Sequence, residues 1–206
     1  MRLGVAISGA GVPAALVDFL AAAGLPAAGL RSAPAGSLVT VGDTTWVPAA
    51  GADVLAGCVR GALDAGIVGK DLLLEEEPDA YELLDLGVGR DAIVYATPRG
   101  HAAGRGRSRP RVATSYPRVT RRHFGASGRQ VEAIVFAAAA LAPALGIAEG
   151  VVDLRSRLES APAEFDVREE IAAVGLRLVA GRAAHTLHAQ ELATLLERLR
   201  ASAEGS

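Results

Sequence analysis

Short runs dense in Val, Ile and Leu alternate along this chain with longer stretches whose apolar residues recur at helical spacing. LGVAI precedes VPAALVDFLAAAGL, then come SLVTV and TTWVPA, ADVLAGCVRGAL precedes AGIVG, and DAIVYAT closes the first stretch. Such alternation predicts βα units around a mainly parallel sheet, with ligands taken at the carboxyl ends of the strands. Gly24-Leu25-Pro26 stops the first helix, and Pro34, Gly36 and Gly42-Asp43 punctuate a β-rich segment. Further on, RVATSY reads as a strand, PRVTRRHFGASG as a helix and turn, and QVEAIVF as a strand. AALAPALGIAEG then reads as a helix, VVDL as a strand and REEIAAVGLRLVA as another. The last helix, HAQELATLLERLRASA, carries Leu192, Leu195, Leu196 and Leu199 on one face, a stripe for core or partner packing. Between strands, PRGHAAGRGRSRPR (98–111) has no hydrophobic period, so it predicts an exposed loop whose arginines are mainly solvated.

Composition narrows the class. A chain of 206 residues suits one large or two small domains. Half of the residues are hydrophobic but only 4% are aromatic, so Ala, Leu and Val must fill the core, which favours helices laid on sheets over a β-sandwich. A formal net charge of −2 gives no global basic field, which argues against nucleic acid as a partner. The most apolar stretch, VEAIVFAAAALAPALGIAEGVV, is broken by Pro143, Gly146 and Glu149, so no membrane span is expected. With no secretory leader pattern and a single cysteine, Cys58, the expected compartment is the cytoplasm. Cys58 reads as a small buried hydrophobe.

Two local patterns invite chemistry. Gly9, Gly11 and Ala14 spell G-x-G-x-x-A between a strand and a helix, the form of a dinucleotide loop, but no acidic residue follows at the ribose position about 20 residues on. His185 and His188 lie three apart, yet zinc-site spacings are absent, so no metal site is predicted. His101 and His123 sit among arginines, a surface setting.

The informative blocks are ADVLAGCVRGALDAGIVGKDLLLEEEPDAYELLDLGVGR, RVATSYPRVTRRHF, QVE, LAPALGIAEGVVDL and GLRLV. In this order they closely resemble the short form of ATP phosphoribosyltransferase, the first enzyme of histidine biosynthesis. The matching family patterns are GKD-x-LLE, DLGFG, R-x-ATKYP and GLADAIVDIV-x-TG-x-TL. The resemblance implies an α/β fold of two lobes, like type II periplasmic binding proteins, with mixed sheets flanked by helices. It further implies a first lobe of residues 1–88 plus 173–206, including the C-terminal helix, and a second of 89–172. The implied reaction moves the phosphoribosyl group of phosphoribosyl pyrophosphate to N1 of ATP, with Mg²⁺ present. Implied partners are the two substrates, a synthetase-like regulatory subunit of short forms, and further copies in a homo- or hetero-oligomer.

Family positions carried onto this chain place Gly9 and Gly11 where the family has phosphate-facing Lys and Arg, and keep Lys70 in the GKD motif. Ser115 replaces the lysine of R-x-ATKYP. Ala137–Ala140 replace the hydrogen-bonding N-G-S-x-E turn. Glu149 and Asp153 stand at the two acidic positions, Asp153 being the one suited to ribose hydroxyls. Arg155, Ser156, Arg157, Leu158, Glu159, Ser160 and Ala161 occupy the phosphate loop V-x-T-G-x-T-L. There Arg155, Ser156, Arg157 and Ser160 are the candidate phosphate contacts, while Leu158 adds bulk and Glu159 a like charge. No catalytic residue is assigned. Two readings follow: an ATP phosphoribosyltransferase with altered substrate loops, or a non-catalytic paralogue acting as a scaffold, regulatory subunit or small-anion binder.

Overall fold

The computed structural model describes residues 1–7, 11–100 and 109–203. The elements of its first half are β1 (Arg2–Ala6), α1 (Ala14–Ala22), β2 (Val39–Val41), β3 (Thr44–Ala49), α2 (Gly51–Val59), β4 (Ala65–Gly69), α3 (Lys70–Glu76) and β5 (Ala80–Asp85). Then follow β6 (Asp91–Pro98), β7 (Arg111–Thr114), α4 (Pro117–Ala126), β8 (Glu132–Val135), β9 (Gly150–Leu154) and α5 (Arg155–Glu159). The chain closes with β10 (Phe165–Val174), β11 (Leu176–Gly181), α6 (Arg182–Leu187) and α7 (Ala189–Ala203). It divides into two compact units: Met1–Leu73, Glu77–Arg90 and the chain from Gly175 on form the first, Leu74–Glu76 and Asp91–Val174 the second.

In the first unit the sheet order is β2-β3-β1-β4-β11-β5. β1 pairs in parallel with β3 and β4, whereas β11 runs antiparallel to β4 and β5, so the sheet is mixed. One face packs on α1 and α7 through Leu16, Leu20, Leu195 and Leu199 around the fully buried Trp46. The Trp46 indole N–H donates to the Pro26 carbonyl at 2.9 Å, so burying the ring leaves no polar atom unpaired. The leucine stripe of α7 is therefore core. Behind the sheet, Val54 and Cys58 of α2 press onto Gly66, where an added Cβ would lie 2.6 Å from Val54 Cγ1 and 2.8 Å from Cys58 Sγ. Burial, aided by the nearby Asp64 charge, pushes the Cys58 thiol up to about 12, which keeps it protonated and inert.

The second unit carries a sheet of order β10-β6-β9-β7-β8. β7 pairs in parallel with β8 and β9, and β6 runs antiparallel to both β9 and β10. Ile93, Val112, Val119, Phe124 and Val152 fill one side, and Val94, Ala96, Ala113, Val151 and Leu158 the other. Alanine is common in the second cluster, which lets the turn around Ala139 and Ala142 lie close to the strands.

Two elements differ from the sequence expectation. AALAPALGIAEG forms only a single 3-10 turn, Ala139–Leu141, followed by further turns. Pro143 contributes no N–H and Gly146 takes a φ of 67°, so a continuous helix cannot propagate. REEIAAVGLRLVA is two strands, split at Gly175 into β10 of the second unit and β11 of the first. DAYELLD, read as part of a motif block, contributes β5, an edge strand on β11.

Candidate functional site

Because β7, β8 and β9 are parallel, their carboxyl ends share one edge of the second unit's sheet. That edge gathers Ser115 after β7, the alanine turn after β8 and Asp153–Ser160 at the end of β9. β6 is antiparallel to β9, with Ile93 opposite Leu154, so Asp91 at the start of β6 arrives at the same edge. This is where ligands are taken in open α/β sheets, since backbone groups beyond the last strand pairing are free to face them.

Asp153 is 3% exposed. Its Oδ1 accepts hydrogen bonds from the Leu154 amide at 2.8 Å and from Arg157 Nη1 at 3.2 Å. The Arg155 guanidinium donates to Glu170 Oε2 on β10 at 2.9 Å. Ser156 Oγ donates to Asp91 Oδ2 at 2.5 Å, and Ser160 Oγ donates to the Ser156 carbonyl at 2.8 Å. Leu158 turns inward and is buried among Val94, Val151 and the alanines. Residues 155–159 accordingly form a short helix, anchored by that leucine and paired through its polar side chains.

Other predicted positions are paired too. Ser115 Oγ donates to the Ala137 carbonyl at 3.3 Å, fastening the alanine turn to the segment after β7. Glu149 accepts from the Arg111 amide at 2.6 Å and from its guanidinium at 2.9 Å, so its carboxylate binds a motif arginine. Lys70 lies in the first unit, directly after β4, and pairs with Glu82 of β5. Gly11 lies in the first unit beyond β1, at φ 119°, a conformation suited to glycine, with open space where a Cβ would be. Gly9 lies outside the described residues, as do His101, Arg105 and Arg107. The structure thus brings together Asp153, Arg155, Ser156, Arg157 and Ser160 at one edge of the second unit's sheet, whereas Glu149, which precedes β9 and pairs with Arg111 at the start of β7, lies at the opposite edge, and Gly11 and Lys70 belong to the other unit.

Several partners escaped the sequence reading. Asp91 and Glu170 bind Ser156 and Arg155 of the segment after β9, and only strand pairing reveals them. Beside that segment a cavity of about 210 Å³ is lined by Arg99, Arg155, Leu158, Glu159, Glu164 and Phe165 among others. Glu75, within the GKD-x-LLE block, accepts from the amides of Arg118 at 2.9 Å and Val119 at 3.1 Å, capping α4 where Tyr116 makes no side-chain cap. His123, expected at the surface, is half-buried and hydrogen-bonded to Glu169 at 2.8 Å. The His185 ring packs against Tyr81 at a tilt of 53°, centroids 4.8 Å apart, whereas His188 lies near Asp64 and Glu191, so the two imidazoles serve different contacts. Among the described residues, no group of three or more His, Cys, Asp or Glu gathers to hold a metal, and no helix is long and apolar enough to cross a membrane.

Two mixed sheets with flanking helices, a parallel-strand edge bearing the phosphate-type segment and a late return of the chain to the first sheet define a two-lobed α/β protein of the periplasmic-binding type. Solved structures share that fold over essentially the whole chain. The periplasmic aliphatic sulphonate binding protein SsuA from Escherichia coli is similar at a TM-score of 0.63 with 13% identity, over 98% of this chain and 72% of that one. The ATP phosphoribosyl transferase (HisG:HisZ) complex from Thermotoga maritima is similar at a TM-score of 0.77 with 21% identity, over the full length of both chains. The family model HisG: ATP phosphoribosyltransferase matches residues 51–201. ATP phosphoribosyltransferases from Symbiobacterium thermophilum (39% identical, 91% of this chain and 88% of that one) and Rubrobacter xylanophilus (38% identical, 86% and 85%) are similar in sequence. The chain belongs to the ATP phosphoribosyltransferase family, which performs the first step of histidine biosynthesis.

Proposed function

We propose that the chain transfers the phosphoribosyl group of phosphoribosyl pyrophosphate to N1 of ATP, using Arg155 and Arg157 where the family pattern has valine and threonine. The observation that carries this reading is the family match over residues 51–201 together with the 153–160 segment at the strand edge. N1 of adenine forms the new bond to C1 of the ribose while the C1–oxygen bond to pyrophosphate breaks, and the electron pair leaves with pyrophosphate. Such a step needs little beyond positioning and charge stabilisation. Asp153 suits the ribose hydroxyls, and Arg155, Arg157, Ser156 and Ser160 suit the 5′-phosphate, guanidinium groups being strong phosphate partners. Lys70, Gly9 and Gly11 complete the proposed substrate-facing set; Glu149, bound to Arg111 at the far end of β9, is left out of it. Mg²⁺ is bound chiefly through substrate phosphates plus one or two carboxylates. The described residues, with no cluster of three or more such ligands, fit an ion that arrives with the pyrophosphate and neutralises its charge. By the same reading the protein is cytoplasmic and works with a synthetase-like regulatory partner, as the Thermotoga maritima relative was solved in a HisG:HisZ complex.

A second reading, a non-catalytic paralogue serving as scaffold, regulatory subunit or small-anion binder, is favoured by one specific observation. Arg155, Ser156, Arg157 and Ser160 all have partners within the protein, and the family glycine is a buried leucine. Calorimetric titration with phosphoribosyl pyrophosphate and Mg²⁺ separates the two. The transferase reading expects saturable binding, weakened at least about tenfold by Arg157→Ala, the scale of one charge-assisted hydrogen bond. A folded protein that binds none of it supports the paralogue.

A further inference from the structure

Asp91 enters the site from the opposite direction to every motif residue. β6 starts beside the end of β9, which sets the Asp91 carboxylate against the turn at Ser156. Its Oδ2 accepts the Ser156 hydroxyl at 2.5 Å. Its Oδ1 accepts the Ser156 amide at 3.3 Å and the Ala92 amide at 2.7 Å, so the carboxylate is itself held in place by the backbone that follows it. A serine hydroxyl has one hydrogen to give. That of Ser156 goes to Asp91, and that of Ser160 goes to the Ser156 carbonyl, so the two hydroxyls of the segment are committed in series, starting from one carboxylate.

A phosphate monoester reaching this segment meets both a competing acceptor and a like charge. The competition is between two anions for the same hydroxyl and amide, and the resident one is covalently tethered and already oriented. We propose that Asp91 is a positioning residue that sets phosphate acceptance by residues 155–160: its carboxylate keeps Ser156 turned toward β6, and neutralising it hands the Ser156 hydroxyl to the phosphate. This rests on the reading that the segment takes the 5′-phosphate of the donor. It adds that the affinity is set by a residue outside the segment, one that no phosphate-loop pattern includes.

Ribose 5-phosphate is the probe, because its binding reads the phosphate site without ATP or turnover. Titration of the full chain is expected to show Asp91→Asn binding at least about tenfold tighter than the wild type, the scale of one hydrogen bond to a charged group. Asp91→Ala, which removes the acceptor as well as the charge, should gain as much or more, and Asp91→Asn carries the test if the alanine variant fails to fold. In the double variant Asp91→Asn with Ser156→Ala the gain should shrink to the part owed to the removed charge and the freed Ser156 amide, since no hydroxyl remains to hand over. Equal or weaker binding by Asp91→Asn, absence of binding by both proteins, or a gain that Ser156→Ala leaves undiminished overturns the proposal. Product formation by the wild type from ATP and phosphoribosyl pyrophosphate reports on the transferase reading separately, so either idea can fail alone.

Discussion

The Glu169 carboxylate shows how much a single residue's setting departs from what its neighbours in sequence suggest. It accepts from Arg129 at 2.6 Å and shares a hydrogen bond with His123. The Arg129 hydrogen bonds hold it down to about 2 against the opposing effect of burial, with His123 adding to the same direction. A carboxyl whose folded value is depressed stabilises the fold above its unfolded value, and that stabilisation is lost as pH falls through the folded value. Glu169→Gln should therefore cost about 1–2 kcal/mol at pH 7, after discounting for partial exposure, with the gap to wild type closing between about pH 4.5 and pH 2. Urea unfolding across that range checks it; a gap that widens with acid contradicts the assignment. From the sequence, His123 looked like one more surface group among arginines. Its true partner lies 46 residues away, a separation that local composition does not encode.

Elements with a complete local signal were legible and those decided by a single residue type were not. The alternation of strands and helices and the terminal leucine stripe follow from hydrophobic period, and the structure has them, but the expected mainly parallel sheet is two mixed sheets, because β2, β5, β6, β10 and β11 pair antiparallel and period alone does not set strand direction. The alanine-rich segment before Gly150 misleads because alanine favours helix everywhere, while Pro143 and Gly146 deny the hydrogen bonds that would extend one. At α4 the first turn lacks a local cap, and the Glu75 carboxylate supplies it from α3. Losing a helix cap costs about 1–2 kcal/mol. Glu75→Ala should lower unfolding stability by that amount, with Glu75→Gln recovering part through its remaining acceptor oxygen. Chemical denaturation measures both, and an unchanged midpoint for Glu75→Ala rules the cap out. In the candidate site the motif residues were readable by position, yet their state was not. Asp91 and Glu170 reach the segment only through the pairing of β6 with β9 and of β10 with β6.

At the scale of the whole molecule, the chain has the fold and the family match of an ATP phosphoribosyltransferase, and the polar side chains of its 153–160 segment are paired within the protein. The blocks around AGIVGKDLLLEEE and RVATSYP form strands, helix starts and a cap. A hydroxyl or guanidinium with an internal partner must exchange it for a substrate oxygen, so binding is weakened by the difference between the two pairings and not by the absence of groups. The measurement that bears most directly on this account is mass-spectrometric detection of phosphoribosyl-ATP after mixing the purified chain with ATP, phosphoribosyl pyrophosphate and Mg²⁺, with and without a short-form regulatory partner. The account predicts product, lost in Arg157→Ala. No product under either condition, from a folded protein whose thermal midpoint neither substrate moves, contradicts it and leaves a family scaffold without the family's chemistry.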